Sequence, residues 1–336
     1  MKKWLIVACI AAVIFGFTRI GTNTKKGDPN TIANAINKSI PILQKAGHTF
    51  LENAGGCHSC HHHALTAVNL SMAKEKGFSI NDTLLEEALS YMTKRTKSWK
   101  PYSVEYDDPT AIVMSGGYDL WALSANHHRS DKRIELLVKN LMHRQTNEGC
   151  WVSASQRPPL EYYSFSATAL MVRAMQNYPP PLLNDEIVAR TKKARSWLIN
   201  TNPETNEERI FQLLGLKWSK ADDKIIQQQA KKLLAAQRED GGWSQLTSLQ
   251  SDAYATGQSL YALNQTGQLK VNDPAYQKGI SFLLNTQLVD GSWKVTSRSF
   301  PVIPFVETGF PHEKNQFISA AGTNWADLAL LSAVNK

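Results

Sequence analysis

Between Lys224 and Leu263 the apolar positions form two helical stripes separated by a polar stop. Ile226, Ala230, Leu233, Leu234 and Gln237 recur at 3.6-type spacing, the run Gln237-Arg238-Glu239-Asp240-Gly241-Gly242-Trp243 breaks the pattern, and Ala253, Gly257, Leu260 and Ala262 resume it. The pattern predicts a hairpin of two helices. Its Asp-Gly-Gly step is expected to end the first helix, because glycine enters the left-handed region without a steric penalty, and Trp243 is then placed to pack across the turn. The same Gln-to-Trp cassette returns at Gln287 to Trp293 and at Gln145 to Trp151. Units that recur in this way cannot bury an apolar face alone, so they must stack on one another.

Extended along the chain, the periodicity divides it into six helix pairs: Ile32–Ala46 with a helix from Cys60 to Lys76, Asp82–Thr96 with Thr110–Ser124, Arg133–Arg144 with Ser164–Asn177, Glu186–Ile199 with Thr205–Leu216, the template pair, and Pro274–Leu284 with Phe317–Val334. Gly77 and the run Pro179-Pro180-Pro181 act as stops, and Thr205 with Glu208 reads as a capping box. About 20 residues rich in Pro and Phe lie before the last helix, a length that in a compact repeat body marks a lid or binding segment. Six hairpins with alternating outer and inner helices predict an all-α fold, an (α/α)6 toroid over 31–336, preceded by a polar linker at 21–30.

Composition adds little to the body and much to its address. The 336 residues are 42% hydrophobic and 20% charged, values of a globular chain with a sizeable core. Of the net charge of +8, five units come from Lys2, Lys3, Arg19, Lys25 and Lys26 in an N-terminal tail without acids, so no nucleic-acid partner is implied for the body. Lys2-Lys3 followed by the 14-residue apolar run Trp4 to Phe17 has the pattern of an export signal. The run is short against the ~20 residues of a bilayer span. Residues 1–20 are therefore expected to be a cleaved signal or an N-terminal membrane anchor, with the body exported to the periplasm or the outer membrane face.

The Gln-to-Trp cassettes resemble the repeat motif of the squalene-hopene cyclase and protein prenyltransferase superfamily over about residues 80–336. Ser251-Asp-Ala-Tyr-Ala-Thr-Gly-Gln258, Gly309-Phe-Pro-His312 and the early Cys-His-Ser-Cys-His-His resemble, more closely, exported bacterial prenyltransferase/squalene oxidase repeat proteins. The resemblance implies the toroid fold. In a toroid every inner helix runs in the same direction, so the segments ahead of the inner helices gather at one mouth: Cys57 to His63, Glu105 to Asp108, Glu161 to Tyr163, Asp252 with Tyr254, and His312 to Asn315. Polar residues at helix starts are equally ordinary caps, and Asp252 is read both ways.

Two motifs at that mouth carry candidate chemistry. In an exported chain Cys57-His58-Ser59-Cys60-His61 has the spacing of covalent c-type haem attachment, with Cys57 and Cys60 forming thioethers and His61 an axial metal ligand. Zinc held by these cysteines and histidines, or a plain disulfide, are the alternatives. Glu105-Tyr106-Asp107-Asp108-Pro109-Thr110-Ala111 resembles the Asp-x-Asp-Asp-Thr-Ala acid motif of squalene-hopene cyclases, and the resemblance would make Asp107 the proton donor to a polyene. Glu105 replaces the first acid and Pro109 interrupts the motif, a pattern that also fits a capped helix start with proline at its first position. Three functions follow: a haem-c toroid in electron transfer or redox chemistry on an apolar, isoprenoid-like molecule or with a redox partner protein, Asp107, Asp108 or Asp252 handling protons; a terpene-cyclase-like isomerase resting on Asp107; and a non-catalytic binding or scaffold toroid. A zinc prenyltransferase is disfavoured, since Ala255 stands where that branch has a histidine ligand.

Overall fold

The computed structural model describes residues 27–54, 59–98, 111–153, 157–299 and 305–334. Among them the chain forms six helical hairpins: α1 (Pro29–Asn53) with α2 (Leu65–Glu75, entered through a π-helical turn at Cys60–Ala64), α3 (Asp82–Ser98) with α4 (Ala111–Ala125), α5 (Lys132–Met142) with α6 (Ser164–Asn177), α7 (Asn184–Asn200) with α8 (Asn206–Trp218), α9 (Asp223–Ala235) with α10 (Ala253–Gln265), and α11 (Pro274–Thr286) with α12 (Gln316–Ala333). The even-numbered helices touch in the order α2, α4, α6, α8, α10, α12 and back to α2, a closed inner ring. The odd-numbered helices lie outside it. This is the (α/α)6 toroid that the periodicity predicts.

Burial follows from the sequence of each layer. The outer helix α5 buries Ile134, Leu137, Val138, Leu141 and Met142, one stripe at helical spacing, and leaves its other face to water. The inner helix α10 is buried at every position from Ala253 to Leu263, enclosed by the outer helices and its ring neighbours. Helix starts are fixed by side-chain caps: Asp28, Asp131, Asp222 and Asp252 each accept from first-turn N–H groups, and Thr205 with Glu208 forms the reciprocal box. No described helix is long and apolar enough to cross a membrane; the tail at 1–26 lies outside the described residues.

The cassettes are staples between hairpins. The Gln237 amide donates to Gly241 O at 2.8 Å within its own turn and to Ala275 O at 2.8 Å on the next outer helix. Gln145 does the same to Gly149 O and Arg190 O, and Gln287 to Gly291 O and Ala35 O. The third staple reaches α1 and so closes the ring. Each indole N–H donates ten residues back, Trp151 to Leu141 O, Trp243 to Leu233 O and Trp293 to Leu283 O, and each Trp backbone N–H is received by a threonine of the following inner helix, Thr168, Thr256 or Thr323.

The first helix of the template pair ends at Ala235, ahead of the Asp-Gly-Gly step expected to stop it. Gly241 is left-handed all the same (φ +87°), inside the turn. A Cβ there would lie 2.5 Å from Lys278 O on the neighbouring hairpin, so glycine is required by close approach as well as by conformation. Gln237→Ala deprives two backbone carbonyls of their donor. It is expected to lower unfolding free energy by about 1–3 kcal/mol, read as a lower urea midpoint at unchanged slope.

Candidate functional site

The inner-helix starts meet at one mouth, and a carboxylic acid that the sequence analysis did not select stands at its centre. Glu207, in the first turn of α8 beside the capping box, is 3% exposed. Tyr254 Oη on α10 donates to its Oε2 at 2.9 Å and Ser166 Oγ on α6 to its Oε1 at 3.3 Å. Burial pushes the Glu207 carboxyl up to about 8, against the downward pull of its hydrogen bonds and of the Arg298 guanidinium. It is therefore largely protonated at neutral pH.

Around it lie buried polar atoms that take no hydrogen bond from the described residues, Tyr118 Oη, His61 Nδ1 and Arg298 Nη2, while the Gln258 amide lies beside the Glu207 carboxyl and the Tyr254 hydroxyl. Native interiors satisfy nearly all such groups, so a convergent set of unsatisfied ones marks a place for ligand or water. The Tyr118 hydroxyl senses Glu207, Cys60 and Glu161 electrostatically, and its ring lies 5.2 Å from that of His61, so the start of α2 opens onto the same cluster. Arg298 comes from the long segment before α12 and donates from Nε to Gln245 Oε1 at 2.8 Å, so this residue of the segment reaches the start of α10.

One turn further along the inner helices the axis is filled by rings. Trp325 lies 6.0 Å from Trp121, 5.5 Å from Tyr261 and 6.4 Å from Phe211, and the Tyr118 ring joins this layer to the polar one by stacking on Trp121 at 6.2 Å. Beyond it the Arg173 guanidinium sits 5.2 Å from the Trp121 ring and 4.7 Å from the Trp218 ring. The axis thus carries a neutral acid at one level and aromatic faces at the next.

Cys60 and His61 are at the mouth, both buried. Cys57, Asp107 and Asp108 lie outside the described residues. The imidazoles of 61–63 diverge: His61 Nε2 is 3.2 Å from Leu160 O, His62 packs between Phe50 and Phe317, and His63 receives Ser59 N–H at Nδ1 and donates from Nε2 to Gly47 O at 2.8 Å. His63 therefore has no nitrogen left for a metal. Burial pulls His61 down to about 4, leaving it neutral. For His61 to ligate haem iron through Nε2, its ring would have to turn away from Leu160. Among the described residues no group of three or more His, Cys, Asp or Glu could hold a metal ion. Asp252 acts as the cap of α10, Oδ1 receiving Ala255 N–H at 2.8 Å and Oδ2 the Gln245 amide at 2.8 Å, while burial raises its carboxyl to about 6. His312 stands at the rim, its Nε2 2.8 Å from Ser292 Oγ.

The chain shares the α/α-toroid fold of a type II terpene cyclase. A single-residue variant of MstE from Scytonema, in complex with geranylgeranyl dihydroxybenzoate, superposes with TM-score 0.60 at 16% identity over 91% of this chain and 98% of that one. An unsaturated glucuronyl hydrolase specific for heparin matches with TM-score 0.60 at 12% identity over 91% and 97%, and a protein from Actinoplanes with TM-score 0.57 at 13% identity over 90% and 100%. No family model and no curated protein matches the sequence.

Behind the mouth a second buried acid fixes the π-helical turn. Asp327 on α12 is fully buried, its oxygens each 2.7 Å from Ser39 Oγ on α1, and Asn69 on α2 donates to it at 3.3 Å and to Asn324 Oδ1 at 3.1 Å. Asn324 in turn donates to His61 O at 3.1 Å. Ser39 Oγ is also 2.9 Å from Ile36 O and has one proton, so the arrangement closes when Asp327 carries a proton and donates to Ser39. Burial raises the Asp327 carboxyl to about 8. A folded state that holds a proton the unfolded chain releases near pH 4 loses stability as pH rises from about 4 to about 8 and is level above. Asp327→Asn is expected to make the fall of unfolding free energy between pH 5 and pH 8 shallower than in the wild type, Glu207 and Asp252 still contributing to it and the depressed His61 opposing it; urea titrations of both proteins at pH 5, 7 and 9 check it.

Proposed function

We propose that this protein is a terpene-cyclase-like isomerase that protonates an alkene of an isoprenoid at the centre of the toroid, with Glu207 as general acid. The observation that carries the reading is the buried, largely uncharged Glu207 carboxyl among unsatisfied polar atoms, one turn above an aromatic layer. A carboxylic acid kept protonated at neutral pH can deliver its proton where an ordinary glutamate cannot. The alkene π electrons form the new C–H bond, the Glu207 O–H bond breaks towards oxygen, and positive charge appears on the neighbouring carbon. Faces of Trp121, Trp325 and Tyr261 stabilise that charge. Loss of a proton from an adjacent carbon to the neutral His61 imidazole or to water gives an isomer, and water returns a proton to Glu207. The overall reaction needs no oxidant, reductant or second substrate.

The substrate class draws support from the shared fold, since MstE takes geranylgeranyl dihydroxybenzoate, a geranylgeranyl compound, as its substrate. Tyr254 and Ser166 orient the acid. The test is incubation of the purified chain with squalene, geranylgeraniol and farnesol, with products separated by mass. New compounds of unchanged mass are expected from at least one of them. Recovery of all three unchanged, with the protein folded, would contradict the proposal.

A further inference from the structure

A hollow of about 630 Å³ opens between the starts of α6 and α8, lined by none of the residues that the chemistry above uses. Its volume is that of a small-molecule site. Two rings are accessible in it, Tyr162, 47% exposed, and the half-buried Trp197. Behind them Tyr163 and Phe165 are buried as supports, Tyr163 edge-on to Tyr162 at 5.0 Å and Phe165 against Trp197 at 4.7 Å. Thr201, Asn202, Glu204 and Glu208 also line it. Glu208 commits Oε2 to the N–H groups of Glu204 and Thr205 and to the Thr205 hydroxyl, while Oε1 and the Glu204 carboxylate take no hydrogen bond from the described residues.

We propose that this hollow binds a neutral saccharide. Supported aromatic platforms offer flat apolar faces to the C–H side of a pyranose ring, and carboxylate, amide and hydroxyl groups at its edge match sugar hydroxyls. The alternatives fit less well. An anionic ligand would face two carboxylates, since every charged group of the described lining is an acid. A wholly apolar ligand would bury those carboxylates without partners. A quaternary ammonium needs ring faces on several sides, and only two rings of the described lining are accessible.

The test is calorimetric titration of the full chain with neutral hexaoses of the malto, cello, laminari and chito series, beside tetramethylammonium and an oligoglucuronate. At least one neutral hexaose is expected to bind. Tyr162→Ala should weaken it at least tenfold, Glu204→Gln should weaken it less, and Glu207→Gln should leave it unchanged. Tyr162 is exposed, so its truncation leaves the thermal midpoint in place and separates lost binding from lost folding. No binding of any neutral hexaose at millimolar concentration overturns the proposal. So does affinity unchanged in Tyr162→Ala, or a site that takes tetramethylammonium or the glucuronate in place of the neutral sugars.

Discussion

Glu207→Gln is expected to reduce isoprenoid turnover by about 10²–10⁴-fold, the usual worth of a positioned general acid, while the fold survives. Glutamine keeps the size of the side chain, its carbonyl accepts from Tyr254 as one acid oxygen does, and its NH2 faces Ser166, whose hydroxyl can turn to accept. It has no proton to give. The variant should not lose stability at pH 7, because it removes a carboxyl that the fold must hold protonated. With the pKa near 8, the native state gives up stability as pH rises from about 4 to about 8, at about 1.4 kcal/mol for each tenfold difference in proton affinity. The pH dependence of wild-type turnover carries the same signature: activity holds below pH 8 and falls above it as Glu207 ionises. Tyr254→Phe removes one donor to the acid and should lower turnover by a smaller factor.

Trp293→Ala is expected to cost about 3–5 kcal/mol, the range for truncating a buried aromatic, and to loosen the closure of the ring. The indole is buried and donates to Leu283 O at 2.8 Å. Beside it, Gln287 holds Ala35 O, and Gly291, left-handed at φ +91°, lies so close to α1 that a Cβ would stand 2.5 Å from Lys38 O. The equivalent Trp243→Ala should cost as much overall and act elsewhere, at the contact between the fifth and sixth hairpins. Hydrogen exchange separates the two. Amides of 29–53 should exchange faster in Trp293→Ala and keep wild-type protection in Trp243→Ala. Equal acceleration in both would show that the cassettes are not seam-specific staples.

Much of this architecture is written in the periodicity. The Gln-to-Trp spacing marks three of the hairpin junctions because the same three contacts, amide to turn, amide to next helix and indole to preceding helix, are rebuilt each time. The partners of the Gln amide are not legible, since Arg190, Ala275 and Ala35 are reached through backbone carbonyls that any residue supplies. The reading of Asp252 as a cap agrees with its geometry for a local reason: Ala255 N–H is three residues away.

The central acid escaped for the opposite reason. Glu207 sits beside Glu208 in the first turn of a helix, where acids are common because they complement the helix dipole. The two neighbours part company in space. Glu208 turns back to close the capping box, and Glu207 faces inward on the stripe it shares with Phe211, Leu214 and Trp218. That alignment of an acid with an apolar inner face was the available signal. Asp327 carried a similar one, a single acid in the otherwise apolar run from Trp325 to Leu331. Asp107 and Asp108 drew attention through a motif, whereas the described mouth draws its acid from a different inner helix.

The most direct measurement is turnover in D₂O by the wild-type protein and by Glu207→Gln, with the product read by mass spectrometry. Proton delivery from Glu207 predicts one deuterium on a carbon of the wild-type product and labelled product formed about 10²–10⁴-fold more slowly by the variant. A wild-type product without deuterium, or labelled product formed by Glu207→Gln at the wild-type rate, would contradict it.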